Sequence, residues 1–249
     1  MEINIFWYIL VGFVAQLIDG CLGMAYGVSS NSFLLSIGVV PSVASASVHT
    51  AEVFTTAISG LSHWKFGNLD KAIIKKLLIP GVLGGVLGAY ILTNLPGGIL
   101  KPFIAIYLII MGIRIITKAF STRNIIAENL SKFKMAVLGL IGGLFDAIGG
   151  GGWGPIVTST LVSSGNDPRK TIGSVNFTEF FVTFAEVVTF IAMIGLVNWK
   201  IILGLAIGGV IAAPLGAFLT KRIPVKPLMI LVGILIILTS IRTIYLAWF

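Results

Sequence analysis

The sequence predicts an all-α polytopic membrane protein of two inverted-topology repeats, each a Gly-broken helical hairpin followed by three transmembrane helices. Composition, the spacing of apolar runs and the recurrence of rare carboxylates at one offset carry that expectation. Of 249 residues, 57% are hydrophobic and 10% charged, against about 25% charged in an ordinary soluble domain. A soluble globular protein is excluded. A net charge of +8 would suggest nucleic acid in a soluble chain, but in a membrane protein it reports basic cytoplasmic loops, so no nucleic-acid partner is expected. Cys21 stands alone, which excludes an intrachain disulfide and a cysteine metal cluster; neither a metal nor a cofactor is predicted.

Met1 to Val14 lack the basic start of a secretory signal, and no small-residue cleavage site ends the apolar stretch, so the first run reads as a membrane segment. Runs follow at about 4–18, 24–38, 42–63, 72–93 and 99–117, then at about 134–148, 153–164, 169–194, 200–219 and 227–247. The polar stretch Lys118 to Lys134 is the seam. It divides a first repeat, 1–117, from a connecting loop, 118–133, and a second repeat, 134–249.

An offset of 127 residues lays Gly12–Gly27 on Gly139–Gly154, with Asp19 on Asp146 and Tyr26 on Trp153. Pro41 meets Pro168, Glu52 meets Glu179 and Thr56 meets Thr183 at the same offset. One residue more carries Leu87-Gly88-Ala89 onto Leu215-Gly216-Ala217, Pro96 onto Pro224 and Arg114 onto Arg242. Apolar helices resemble one another by chance, but rare carboxylates do not align by chance. With the Lys65–Lys76 loop in the cytoplasm, alternation leaves only Lys101, Lys200 and Arg242 of the 17 basic residues outside. Arg114 and Arg242 then fall on opposite faces, which predicts inverted repeats with both termini outside the cytoplasmic membrane.

The paired first segments of each half, at 14 or 15 residues, span about 21–22 Å at ~1.5 Å per residue, short of a ~30 Å core. The breaks Asp19–Gly23 and Asp146–Gly152 hold glycines where the chain turns. Irregular backbone survives in a membrane only where protein covers it or water lines it. Two hairpins are therefore expected to dip in from opposite faces and meet tip to tip. Their N–H groups would offer dipoles to an anion. Gly23, Tyr26, Gly150, Gly151, Gly152 and Trp153 are the candidate substrate-binding residues at the tips, with Ser29, Ser30 and Asn31 just beyond. Gly84, Gly88, Gly208 and Gly216 read as close helix packing.

The third segment of each half is the most polar. Asp167 is placed as N-cap and Pro168 as first helical residue. Asn176, Glu179, Thr183 and Glu186 then share one face, as do Ser45, His49, Glu52, Thr56, Ser59 and His63. Glu52 lies about 15 Å along its helix, near the midplane, and Glu179 is equivalent. A carboxylate there costs on the order of 2.5–3.5 kcal/mol, so it faces a cavity or carries a proton. Glu52, Glu179, Glu186, Asp19 and Asp146 are the candidate proton-coupling residues, with Asp19 and Asp146 equally readable as caps of the tips. His49 and Asn176 are candidate substrate contacts, and His49 beside Glu52 is also a candidate relay.

The tip Ile148-Gly149-Gly150-Gly151-Gly152-Trp153-Gly154-Pro155, the inverted halves and His63-Trp64-Lys65-Phe66-Gly67-Asn68-Leu69-Asp70 resemble the TauE/SafE sulfite exporter family. The resemblance covers essentially the whole chain. It implies movement of small sulfur-containing or organic anions, such as sulfite or sulfonates, across the cytoplasmic membrane. The first tip departs from the family's glycine run at Cys21, Leu22 and Met24, so the half-sites differ.

The leading reading is an ion-coupled secondary transporter of a small anion, with protons or another ion as partner. An intramembrane enzyme such as a lipid-phosphate phosphatase would want a basic residue at its site, and no Arg or Lys lies in the deep segments. An ion channel or membrane partner subunit is the third reading, since an acidic stripe suits a cation pore.

Overall fold

The computed structural model describes residues 4–120, 130–195, 198–219 and 225–248. Most of the connecting loop placed at 118–133 therefore lies outside the described residues, as do Lys221, Arg222 and Pro224. Ten α-helices are present among the described residues: α1 (Ile5–Leu22), α2 (Tyr26–Ser36), α3 (Pro41–Lys65), α4 (Lys71–Asn94), α5 (Gly97–Ala119), α6 (Lys132–Gly149), α7 (Ser159–Ser163), α8 (Pro168–Ile194), α9 (Trp199–Leu219) and α10 (Val225–Trp248). A π-helical turn, Gly154–Thr158, leads into α7. Lys71–Asn94, Gly97–Ala119, Pro168–Ile194 and Trp199–Gly216 are long and apolar enough to cross a membrane.

Local signals set several boundaries. Asp70 caps α4 by accepting from Ala72 N at 2.8 Å, and Asp167 caps α8 by accepting from Lys170 N at 2.8 Å, with Pro168 at the first position as expected. The hairpin arms depart from expectation. α1 and α6 each run 18 residues, about 27 Å at ~1.5 Å per residue, whereas α2 has 11 residues. Asp19, Gly20 and Gly149 are helical; the first break moves to Gly23–Ala25, sharing only Gly23 with the expected Asp19–Gly23, and the second shrinks to Gly150–Gly152. Helical hydrogen bonding continues until a residue with positive φ ends it, and those residues are Gly23 and Gly150.

The distribution of side chains is the reverse of a soluble protein's. Phe6, Ile79, Phe103, Phe133, Leu231 and Leu238 are at least 60% exposed, while Asp19, Glu52, Asp146, Glu179 and Glu186 are at most 6% exposed. Lipid solvates the apolar belt, and the polar groups turn inward.

The helices pack α1 on α9, α4 on α6, α3 on α8, α3 on α9, α4 on α8 and α5 on α10. Small residues permit this. A Cβ on Gly84 or Gly88 would run into a carbonyl of α6, one on Gly208 into a carbonyl of α1, and one on Gly216 would stand 2.9 Å from Gly20 Cα. The polar stripes of α3 and α8 lie in the contact between these two helices. His49 meets Glu186 and, farther along α3 and back along α8, Ser59 accepts from Asn176 Nδ2 at 3.0 Å. The partner number falls as the α3 number rises, so the two polar stripes face each other antiparallel.

Candidate functional site

The two helix breaks meet beside that stripe. Gly23 takes φ 65° and returns its N–H to the Asp19 carbonyl at 2.6 Å. Gly150 takes φ 66°, Gly151 φ 140°, and the Gly151 N–H reaches the Asp146 carbonyl at 2.9 Å. Only glycine adopts such backbone cheaply. Ala25, at φ 126°, does so with a Cβ, which stores strain on the order of 1–3 kcal/mol at the first tip. The tips touch backbone to backbone: a Cβ on Gly27 would lie 2.6 Å from Gly151 Cα, and one on Gly151 would strike Gly27 and Val28. Asn31 Nδ2 ties them by donating to the Gly149 carbonyl at 2.5 Å.

The carboxyl groups at the ends of α1 and α6 close their own tips. Asp146 Oδ1 accepts from Gly152 N at 2.6 Å and Trp153 N at 2.9 Å. Asp19 Oδ1 accepts from Tyr26 N at a longer 3.5 Å. The tip N–H pair that sequence reasoning offered to an external anion is thus held, at the second tip, by the protein's own carboxylate. Tyr26 and Trp153, paired by the 127-residue offset, are both fully buried anchors: Tyr26 OH donates to the Leu205 carbonyl at 3.2 Å and Trp153 Nε1 to the Val175 carbonyl at 3.2 Å.

Asp19, Tyr26, Glu52, Asp146, Gly151 and Glu179 line a space between the tips, with Gly152 alongside. It has room for about one water. Among the described residues no Lys or Arg lines it. His49 and Glu186 stand behind Asp146, the His49 Nε2 lying 3.0 Å from Glu186 Oε2 and 3.7 Å from Asp146 Oδ2. His49 Nδ1 faces the Ser45 carbonyl at 2.8 Å, and the Ser45 hydroxyl donates to the Ala147 carbonyl at 2.6 Å. This trio offers one ligand atom from each residue, all within 4.8 Å of one another, and the closest pair, at 3.0 Å, is nearer than two atoms binding a common metal ion need to be. Five buried carboxyls thus share one imidazole, and an unpaired buried charge costs several kcal/mol. Bound protons or cations must complete the charge balance.

The remaining nominated residues hold the frame and do not line this space. Gly23 and Gly150 shape the turns, and Asn31 and Trp153 fasten them. Ser29 and Ser30 are buried on α2 with hydroxyls that have no hydrogen-bond partner, and Asn176 is engaged with Ser59. Sequence reasoning did not nominate Tyr107. From α5 it lies against Gly149 and Gly152 and donates its hydroxyl to the Gly151 carbonyl at 3.4 Å. Its offset counterpart is the apolar Leu235, so the repeat that exposed the other polar residues carried no signal here.

Residues 8–243 match the family Sulfite exporter TauE/SafE. The chain is 44% identical over 248 residues to a Bacillus subtilis (strain 168) protein named Probable membrane transporter protein YtnM, covering 97% of this chain and 83% of that protein. No solved structure matches.

Proposed function

The chain belongs to the sulfite exporter TauE/SafE family of multi-pass membrane transporters, which are not enzymes, and on that premise we propose that it carries a small oxyanion between the two hairpin tips. Sulfite, a sulfonate or a related organic acid is the substrate class, and the cytoplasmic membrane the site of action. The carrying observation is the closure of two glycine-built tips over a space lined by four carboxyls and no cation. That space is too small for a four-atom oxyanion, so the tips part when substrate binds. An anion enters beside carboxyls only when their charge is balanced, so the substrate travels with protons, and Glu52 and Glu179 are the residues that carry them.

Two inverted repeats, 1–117 and 134–249 joined by 118–133, supply the moving parts in this reading, with both termini outside. The packing supports it: the α1–α9 and α3–α9 contacts have counterparts in α6–α4 and α8–α4. Gly81 faces Trp153 and Val182 just as Gly209 faces Tyr26 and Thr55. Rocking of one half on the other exposes the tips to each side in turn.

The test is uptake of sulfite, a two-carbon sulfonate and a carboxylate by reconstituted liposomes, with and without a pH gradient. Saturable, anion-selective flux is expected, and Glu52→Gln or Glu179→Gln lowers the pH-driven part about tenfold or more, a coupling loss of ordinary size. Absence of flux of all three anions overturns the assignment. Wild-type flux from both variants under a pH gradient removes these two carboxyls as carriers.

A further inference from the structure

The α3–α8 interface contains the same contact twice, built from different chemistry. An offset of 127 residues takes His49 to Asn176 and Glu186 to Ser59. At one end Asn176 donates to Ser59 at 3.0 Å, a neutral hydrogen bond. At the other end His49 and Glu186 meet at the same 3.0 Å spacing, and Asp146 Oδ2 stands 3.7 Å away. A serine and an asparagine thus suffice to join the helices at this position. Two carboxyls and an imidazole, all at most 1% exposed, are a costly way to make a merely structural contact.

The orientation of His49 shows what the second contact holds. Nδ1 lies 2.8 Å from the Ser45 carbonyl and 3.2 Å from the Ser45 hydroxyl, whose hydrogen goes to the Ala147 carbonyl; both oxygens then accept, so the tautomer that fits carries its hydrogen on Nδ1. Nε2 is left pointing at carboxylate oxygens. With a lone pair there, Nε2 and Glu186 Oε2 would be two acceptors at 3.0 Å, so a proton must lie between them. Among the described residues His49 Nε2, both Glu186 oxygens and Asp146 Oδ2 are buried without a hydrogen-bond partner, so the 3.0 Å approach has the length of a hydrogen bond but not its alignment. Glu186 Oε2 and Asp146 Oδ2 converge on His49 Nε2. The titratable groups facing it are Glu52 on α3 itself, Asp146 on α6 and Glu186 on α8. Farther out stand Asp19 on α1, Glu179 on α8 and Tyr107 on α5.

We propose that His49 and Glu186, with Asp146 shared between them and the substrate space, form a proton-binding site that couples transport to pH from one end of the α3–α8 interface only. The inference rests on the transporter reading above and adds to its proton carriers, Glu52 and Glu179, a third proton position. The bound proton ties α3 to α8 and, through Asp146, to the tip of α6, because the Asp146 oxygen not facing His49 caps Gly152 and Trp153. Loss of the proton leaves acceptors facing one another and loosens the second tip from α3, which then holds α6 here through the Ser45 hydroxyl on the Ala147 carbonyl. The Asn176–Ser59 contact has no such dependence, so the two ends of the interface respond differently to pH.

The test transplants the neutral contact. His49→Asn with Glu186→Ser writes into this position the pair that already stands at Asn176 and Ser59, in the full chain reconstituted in liposomes. Proton uptake is followed with a trapped pH dye during sulfite, sulfoacetate and acetate flux, and the imidazole 15N spectrum is recorded across about pH 5–9, with His63→Gln assigning the two histidines. In the double variant, pH-driven flux is expected to fall about tenfold, and the flux that remains no longer responds to the pH gradient. In wild type the His49 resonance reports Nδ1–H together with a hydrogen-bonded Nε2 and shifts when the proton leaves. A double variant whose flux follows the gradient as wild type does overturns the proposal. So does a His49 signal unchanged across the range, or stoichiometric Zn2+ binding that the double variant abolishes. If the double variant does not fold, His49→Gln and Glu186→Gln singly, with the spectrum, decide. If wild type moves none of the three anions, the transporter reading fails, and the 15N spectrum alone still accepts or rejects the proton site.

Discussion

Replacing Gly151 with alanine puts the backbone contact between the tips to the test. At φ 140° an L-residue pays about 1–2 kcal/mol for a left-handed backbone. Its Cβ would also strike the backbone of Gly27 and Val28, and overpacking of that kind adds about 1–3 kcal/mol when neighbours cannot move aside. Here the neighbours are main chain at the start of α2, so no side-chain rotamer relieves the clash. The sum, about 2–5 kcal/mol, changes the folded-to-unfolded ratio by about 30-fold to a few thousand-fold. For a chain of this size it lowers the melting temperature by about 4–20 °C on the scale of soluble domains. Gly98→Ala is the control, since a Cβ there meets nothing within 4 Å and alanine improves helix propensity by about 1 kcal/mol. Thermal unfolding in detergent and anion flux in liposomes are the assays. Gly151→Ala with the melting temperature and flux of wild type would refute the backbone-to-backbone closure of the tips.

Asp146 caps a tip with one oxygen and faces His49 with the other, so its two roles separate by substitution. Asp146→Asn keeps an acceptor for Gly152 and Trp153 N–H and is expected to fold while losing pH-driven flux; Asp146→Ala also loses the cap, about 0.5–2 kcal/mol, seen as a lower melting temperature. Full pH-driven flux from Asp146→Asn would leave the residue as a cap alone. Trp153→Phe removes the bond to the Val175 carbonyl at a cost of about 1 kcal/mol, whereas Trp153→Ala empties a fully buried site at about 3–5 kcal/mol. Equal melting temperatures for the two variants would show that Trp153 does not anchor the tip to α8.

The membrane setting, the order of the segments, the second helix break and the polar faces of α3 and α8 were legible in the residues themselves. Each of these follows from local regularities: apolar length, glycine runs, the Asp167-Pro168 start signal and polar residues at helical spacing. The offset of 127 residues added Asp19, Glu52, Asp146 and Glu179 because carboxylates are too rare in such a chain to align by accident. Which of these groups share a space, and which atoms they present, came from the way the helices pack. Helix periodicity gives a face but not the partner across it, so nothing in the sequence paired His49 with Glu186 or Asn176 with Ser59. Nor could sequence show that Asp146 already occupies the N–H groups of the second tip, because that bond depends on where the chain reverses after Gly149. Tyr107 stayed invisible for the same reason: its contact with Gly151 is made by the docking of α5, and one tyrosine in an apolar helix has no pattern to belong to.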